Sequence, residues 1–162
     1  MEGFELLLLR HGIAEERSTH RPDHLRPLTA AGRLRTAAVL DRLRALDLYG
    51  QLLYSSPLLR ARQTAELVVE AGLAPALQLA EGLAPDGDPW PLLQCPAKVR
   101  RLVLVGHEPH LGDLAAALIG APPGALALKK AGIALLRITP ADPRPRGQLR
   151  LLLGPAQLLA GS

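Results

Sequence analysis

The chain has 162 residues, 48% of them hydrophobic and only 2% aromatic, with a formal net charge of +4. That length suits one domain, residues 1–162, around one core, which Leu, Ala and Val must fill in place of aromatic rings. Only Lys98, Lys129 and Lys130 are lysines, so sixteen of the 19 basic residues are arginines, a bias that says little about function; the net positive charge suggests anionic ligands, while the lack of a Lys/Arg block and of aromatics able to stack bases argues against nucleic acid.

The start, Met1-Glu2-Gly3-Phe4-Glu5, is acidic where a secretory signal would be basic, and the apolar run behind it is too short for one. No run reaches membrane-spanning length. The expectation is a soluble cytoplasmic protein with no membrane partner.

Leu6–Leu9 runs without a polar break into Arg10-His11-Gly12, which reads as a strand buried on both faces. Open parallel sheets place ligand sites at the C-terminal ends of their strands, so Arg10 and His11 stand at the mouth of a cleft. Glu15 to Pro27 is polar, carries Pro22 and Pro27, and is expected to overhang that strand end as a loop. Thr29 is the N-cap of a helix to about Leu46 with an apolar stripe through Val39, Leu40, Leu43 and Leu46. Gln51–Tyr54 is a second strand. Ser56 is expected as N-cap and Pro57 as first residue of a helix ending near Gly72.

Ala76–Leu79 offers a third strand. Glu81 to Pro96 is rich in Pro, Gly and Asp and reads as a loop with a short helix around Trp90–Gln94. Cys95, the only cysteine, leaves no internal disulfide and no cysteine-based metal cluster. Arg101–Val105 is another buried strand, ending at Gly106-His107-Glu108-Pro109 before a helix to about Ile119. Ile133–Ile138 and Leu149–Leu153 are two further strands joined by a polar turn from Pro140 to Gly147. This alternation predicts an α/β three-layer sandwich, a mainly parallel sheet flanked by helices.

The strand ends repeat a pattern. One delivers Arg10 and His11, the second leads through Ser55-Ser56-Pro57 to Arg60, and the third delivers His107. Brought to one sheet edge, two histidines and two arginines suit a phosphoryl group. Arginines fork onto its oxygens, helix N-termini add backbone donors, one histidine serves as nucleophile, and a second, held protonated, stabilises charge on the equatorial oxygens.

Leu8-Leu9-Arg10-His11-Gly12, Ser56-Pro57-Leu58-Leu59-Arg60-Ala61-Arg62-Gln63-Thr64-Ala65 and Val105-Gly106-His107-Glu108-Pro109 resemble, in order, the three signatures of the histidine phosphatase superfamily, the phosphoglycerate mutase-like fold. The short chain, with Arg26-Pro27-Leu28-Thr29, Gly32, Leu83-Ala84-Pro85 and Gly87-Asp88, resembles the SixA-type phosphohistidine phosphatases within it. The resemblance implies that His11 is the catalytic nucleophile, that Arg10 and Arg60 bind the phosphoryl oxygens, and that His107 hydrogen-bonds the same group. The acid that larger members use as proton donor is less plain. The SixA-like pattern puts it at a position occupied here by Gly82, which leaves Glu81, displaced by one, and Glu108, directly after the second histidine. A phosphohistidine substrate needs no such acid, because its imidazole leaving group can be protonated beforehand; an alkyl phosphate needs it more.

The remaining candidates read blandly. His20, His24 and His110 have no motif around them, and the histidines show no metal-ligand spacing. Lys129-Lys130 either frames the cleft or is a solvated strand end, Arg62 either joins the basic rim or points away, and Trp90 either packs a loop over the sheet or lines a substrate wall. The sequence thus predicts a phosphatase with a covalent phosphohistidine intermediate on His11, acting on a phosphorylated protein without metal or organic cofactor. A phosphomonoesterase for a small phosphorylated substrate and a non-catalytic phosphoprotein-binding module are the alternatives; nothing in the sequence defines the oligomeric state.

Overall fold

The computed structural model describes residues 2–161. Six strands form one sheet in the order β3-β2-β4-β1-β5-β6. They are β1 (Phe4–Arg10), β2 (Leu52–Ser55), β3 (Gln78–Leu79), β4 (Arg101–Gly106), β5 (Ile133–Thr139) and β6 (Arg146–Leu153). The first four in that order run parallel; β5 pairs antiparallel with β1, and β6 antiparallel with β5. The helices are α1 (Ala30–Ala45), α2 (Leu59–Glu70), α3 (His110–Leu118) and α4 (Pro155–Leu158).

Unbroken apolar runs make strands here because both faces of the sheet are covered. Alternate residues of one strand serve opposite layers. Leu7, Leu9, Leu53, Val103, Val105, Ile133 and Leu135 pack with Val39, Leu40 and Leu43 of α1, Ala61, Ala65 and Val68 of α2, and Leu158 of α4. Leu6, Leu8, Leu102, Leu104, Ala134, Leu136 and Ile138 face the other way, against Leu111, Leu114, Ala115 and Leu118 of α3 and the loop residues Leu83, Leu93 and Cys95. The three-layer α/β sandwich therefore stands. So does the packing of Trp90, which joins the second layer and lies 4.3 Å beneath the Arg144 guanidinium.

Several boundaries differ from the sequence expectation. β3 is cut to two residues at a sheet edge, and β6 starts at Arg146 rather than Leu149, because pairing with β5 extends through polar residues that hydropathy alone passes over. α4 was not expected; four residues carry no periodicity. α2 begins at Leu59 with Leu58 at the N-cap, not at Pro57 behind Ser56. The Ser56 hydroxyl does accept from the Leu58 N–H at 3.2 Å, but it is also committed elsewhere.

Thr29 caps α1 as expected, accepting the Gly32 N–H at 2.8 Å, whereas Leu46, expected in the apolar stripe, is the C-cap and is exposed because the chain turns away from the sheet there. The start of α1 presses on the segment that leaves β1. A Cβ on Gly32 would lie 2.2 Å from the Ile13 carbonyl oxygen, and one on Gly12 would lie 2.3 Å from Thr36 Oγ1. Glycine at both positions allows this close approach, which fixes the course of the chain just beyond His11.

Candidate active site

Register brings the site together. Arg10 pairs with Gly106 across β1 and β4, and Ser55 with Val105 across β2 and β4, so all three strands end at one edge of the sheet. The next residues are His11, Ser56 and His107. The two imidazole rings lie 5.2 Å apart, centroid to centroid, tilted by 56°.

The buried His11 ring has its Nδ1 2.7 Å from the Gly12 carbonyl oxygen. A carbonyl only accepts, so Nδ1 carries the proton and Nε2 keeps its lone pair. Gly12 is itself fixed: its N–H donates to Thr64 Oγ1 at 3.0 Å, and that hydroxyl donates to the Arg60 carbonyl at 2.8 Å. Burial lowers the His11 pKa to about 4; the Gly12 hydrogen bond works against this, and the charges of Arg60, Arg10 and Arg26 work with it. His11 is a neutral imidazole at neutral pH.

His107 is more strongly affected. Burial, then the neighbouring His11, Arg60 and His110, lower its pKa to about 3, with Asp23 opposing. In the free protein, burial and the Arg60 charge keep this second ring neutral, in contrast to the protonated ring expected. Its Nε2 lies 2.7 Å from Ser56 Oγ, and its Nδ1 is buried with no partner among the described residues.

The two expected arginines are both present. Arg10 donates through one terminal nitrogen to the Leu128 carbonyl at 2.9 Å, and its Nε is buried without a partner among the described residues. Arg60, with a side chain only 5% exposed, donates to the Asp23 carbonyl at 3.0 Å and to Asp23 Oδ2 at 3.2 Å, and its Nε is likewise free. Each therefore keeps donors unspent.

Asp23 and Arg26 carry contacts that the sequence did not disclose. The loop Glu15–Pro27 contains a short 3-10 turn, Asp23–Leu25, whose carboxylate bridges Arg60 and the Arg26 Nε, the latter at 2.8 Å. A second Arg26 nitrogen holds the Glu15 carbonyl at 2.8 Å. Partial burial would raise the Asp23 pKa, but the Arg26 hydrogen bond and the charges of Arg60, Arg26 and Arg17 lower it overall. Arg26 was visible only as a member of a family-like segment, and a lone loop aspartate offers no sequence signal at all. The Gln63 side chain fixes the far end of this loop by accepting the Leu28 N–H at 2.8 Å.

The acid candidates part company. Glu108 accepts the Gly112 N–H at 2.8 Å and lies close to the backbone of Leu128, the residue whose carbonyl accepts from Arg10. Burial raises its pKa in spite of these backbone contacts and of Arg10. Glu81 lies exposed on a 3-10 turn, Glu81–Leu83. Gly82 can bear no side chain without a backbone shift, since a Cβ would sit 2.4 Å from the Asp88 carbonyl oxygen. Arg62 points to solvent in an i,i+4 ion pair with Glu66, and Lys129 and Lys130 are exposed in the turn before β5. Among the described residues no cluster of His, Cys, Asp and Glu could hold a metal ion, and no helix is long and apolar enough to cross a membrane.

An α/β sheet that sets two neutral imidazoles among arginines at its C-terminal edge defines a phosphoryl-handling enzyme. Residues 6–84 match the family model described as the histidine phosphatase superfamily (branch 1). An uncharacterized protein of Picosynechococcus sp. is 44% identical, over 96% of this chain and 99% of its own length. Among solved structures, the protein histidine phosphatase SixA complexed with tungstate superposes with a TM-score of 0.81 at 26% identity, covering 96% of this chain and 99% of that one. The mycobacterial glucosyl-3-phosphoglycerate phosphatase complexed with VO3 shares the fold, with a TM-score of 0.71 at 19% identity over 91% of this chain and 98% of that one. The chain belongs to the histidine phosphatase superfamily, in its SixA-type group. It is a phosphatase whose chemistry rests on histidine.

Proposed function

We propose that the protein removes the phosphoryl group from a phosphohistidine carried on another protein, in the cytoplasm, by way of a phosphohistidine on His11. The observation that carries this reading is the His11 ring, neutral and with Nδ1 tied to the Gly12 carbonyl, so that Nε2 offers its lone pair beside two arginines and His107. In the first step Nε2 attacks phosphorus and the bond to the substrate's imidazole nitrogen breaks. That imidazole departs with a proton already taken from solvent. Arg10 and Arg60 neutralise the equatorial oxygens with fixed charge, and His107 hydrogen-bonds one of them. Water then attacks phosphorus, the bond to Nε2 breaks, and inorganic phosphate leaves. In this reading Glu108 steadies Arg10 from beside Leu128, and neither Glu81 nor Glu108 delivers a proton.

The raised pKa of Glu108 favours a second reading, a small-molecule phosphomonoesterase in which this carboxyl is the general acid. Turnover of a phosphohistidine protein beside a panel of phosphomonoesters, with Glu81→Gln and Glu108→Gln, separates the two. The first reading expects preference for the phosphoramidate, with Glu81→Gln unaffected and Glu108→Gln acting on KM through Arg10. Collapse of kcat for phosphomonoesters alone in Glu108→Gln supports the second. Quenching under alkaline conditions and mapping the labelled residue tests both. A folded protein in which His11 never carries phosphate is a binding module instead.

A further inference from the structure

Ser56 lies fully buried at the end of β2, and all its polar atoms are accounted for. Its N–H donates to the Val105 carbonyl at 3.0 Å, and its carbonyl accepts the Ser55 hydroxyl at 2.9 Å. Its own hydroxyl oxygen accepts the Leu58 N–H at 3.2 Å and lies 2.7 Å from His107 Nε2. A hydroxyl has a single proton to give. If His107 Nε2 carried the ring proton and donated to Ser56, that hydroxyl proton would have no acceptor, which is costly in a buried site. His107 Nδ1, buried and with no partner among the described residues, would then be a bare lone pair. When Ser56 donates to Nε2 the hydroxyl proton has its acceptor, and the unpartnered Nδ1 carries an N–H that an anion in the pocket can accept.

We infer that Ser56 is a positioning residue that sets the tautomer of His107: its hydroxyl donates to Nε2, so the ring carries its proton on Nδ1 and can donate it to the phosphoryl group while remaining neutral. The role given to Nδ1 rests on the phosphatase reading above; the tautomer itself does not. The device answers a conflict in this pocket. A second ring buried beside Arg60 does not easily hold a positive charge, yet it must present a donor to an anion. A hydrogen bond from Ser56 supplies that donor without the charge. Serine was expected at this position as a helix N-cap; its hydroxyl serves the Leu58 amide and the histidine together.

The test is long-range proton–nitrogen NMR on the full chain labelled with nitrogen-15 histidine at neutral pH, with His107 assigned by the signals lost in His107→Gln. The wild-type protein should show a pyrrole-type Nδ1 and a pyridine-type Nε2 for His107. Ser56→Ala should lose this single tautomer and show Nε2 protonated in part or in full. It should also lower kcat roughly tenfold to a hundredfold, with a smaller change in KM, as expected for a donor felt mainly in the transition state. A wild-type spectrum with the proton on Nε2 overturns the inference, and so does Ser56→Ala with the tautomer unchanged. If Ser56→Ala does not fold, the wild-type spectrum decides alone. The expected tautomer in a protein that never labels on His11 defeats the proposed function and leaves the serine's role intact.

Discussion

Two buried neutral histidines make the stability of this protein depend on pH in a way the structure quantifies. In the unfolded chain each ring titrates near 6.5, whereas folding lowers His11 to about 4 and His107 to about 3. Between these values the unfolded state binds protons that the folded state refuses, so stability is complete above about pH 6.5 and falls as the pH drops. At pH 5 the loss depends only on both folded values lying below 5. Each ring then costs about 2 kcal/mol, from 1.5 pH units at about 1.4 kcal/mol each, and the pair about 4 kcal/mol. That is a large share of the roughly 5–15 kcal/mol that holds such a domain together. Urea unfolding at pH 7.5 and 5.0, in buffers free of phosphate, measures it against the double variant His11→Gln/His107→Gln, which keeps every other titrating group. The wild-type protein should lose about 4 kcal/mol more than the variant over this interval. Equal losses would mean that the rings are hydrated or already charged in the folded state, and the neutral-nucleophile reasoning would fail with them.

Other perturbations follow from single contacts. Asp23→Asn removes a carboxylate that opposes the charges of Arg60 and Arg26, so inorganic phosphate should inhibit about fivefold more tightly, the worth of a partly exposed ion pair of about 1 kcal/mol; an unchanged inhibition constant would show that solvent screens this carboxylate. Arg60→Lys replaces a buried fork by a point charge, and kcat/KM should fall about a hundredfold with the fold retained by circular dichroism, whereas near wild-type turnover would remove Arg60 from phosphoryl binding. Gly32→Ala brings a methyl group 2.2 Å from the Ile13 carbonyl oxygen, and the backbone shift should cost about 2 kcal/mol, or roughly 6 °C in Tm by calorimetry. A higher Tm, as helix propensity alone would give, would contradict the close approach of α1 to the His11 segment.

Hydrophobic patterning along the chain was enough to locate the sheet layers, because the unbroken runs Leu6–Leu9 and Leu102–Val105 have no stable use except as strands covered on both faces. The convergence of Arg10, His11 and His107 was legible as well, since the strand ends carrying them meet at one edge as soon as β1 and β4 pair in parallel, with β2 leading to Arg60 on α2. Protonation, partners and orientation were not legible. Whether His107 is charged depends on how far it is buried and which cations surround it, neither of which a strand-end motif encodes. Asp23 meets Arg60 across 37 residues and Ser56 meets His107 across 51, and such contacts leave no periodicity in either segment. Local sequence decides which elements form, through propensity and the alternation of apolar residues. The electrostatics of the pocket are a many-body property of the packed structure, which sets the Asp23 carboxylate on Arg60 and the Ser56 hydroxyl on His107.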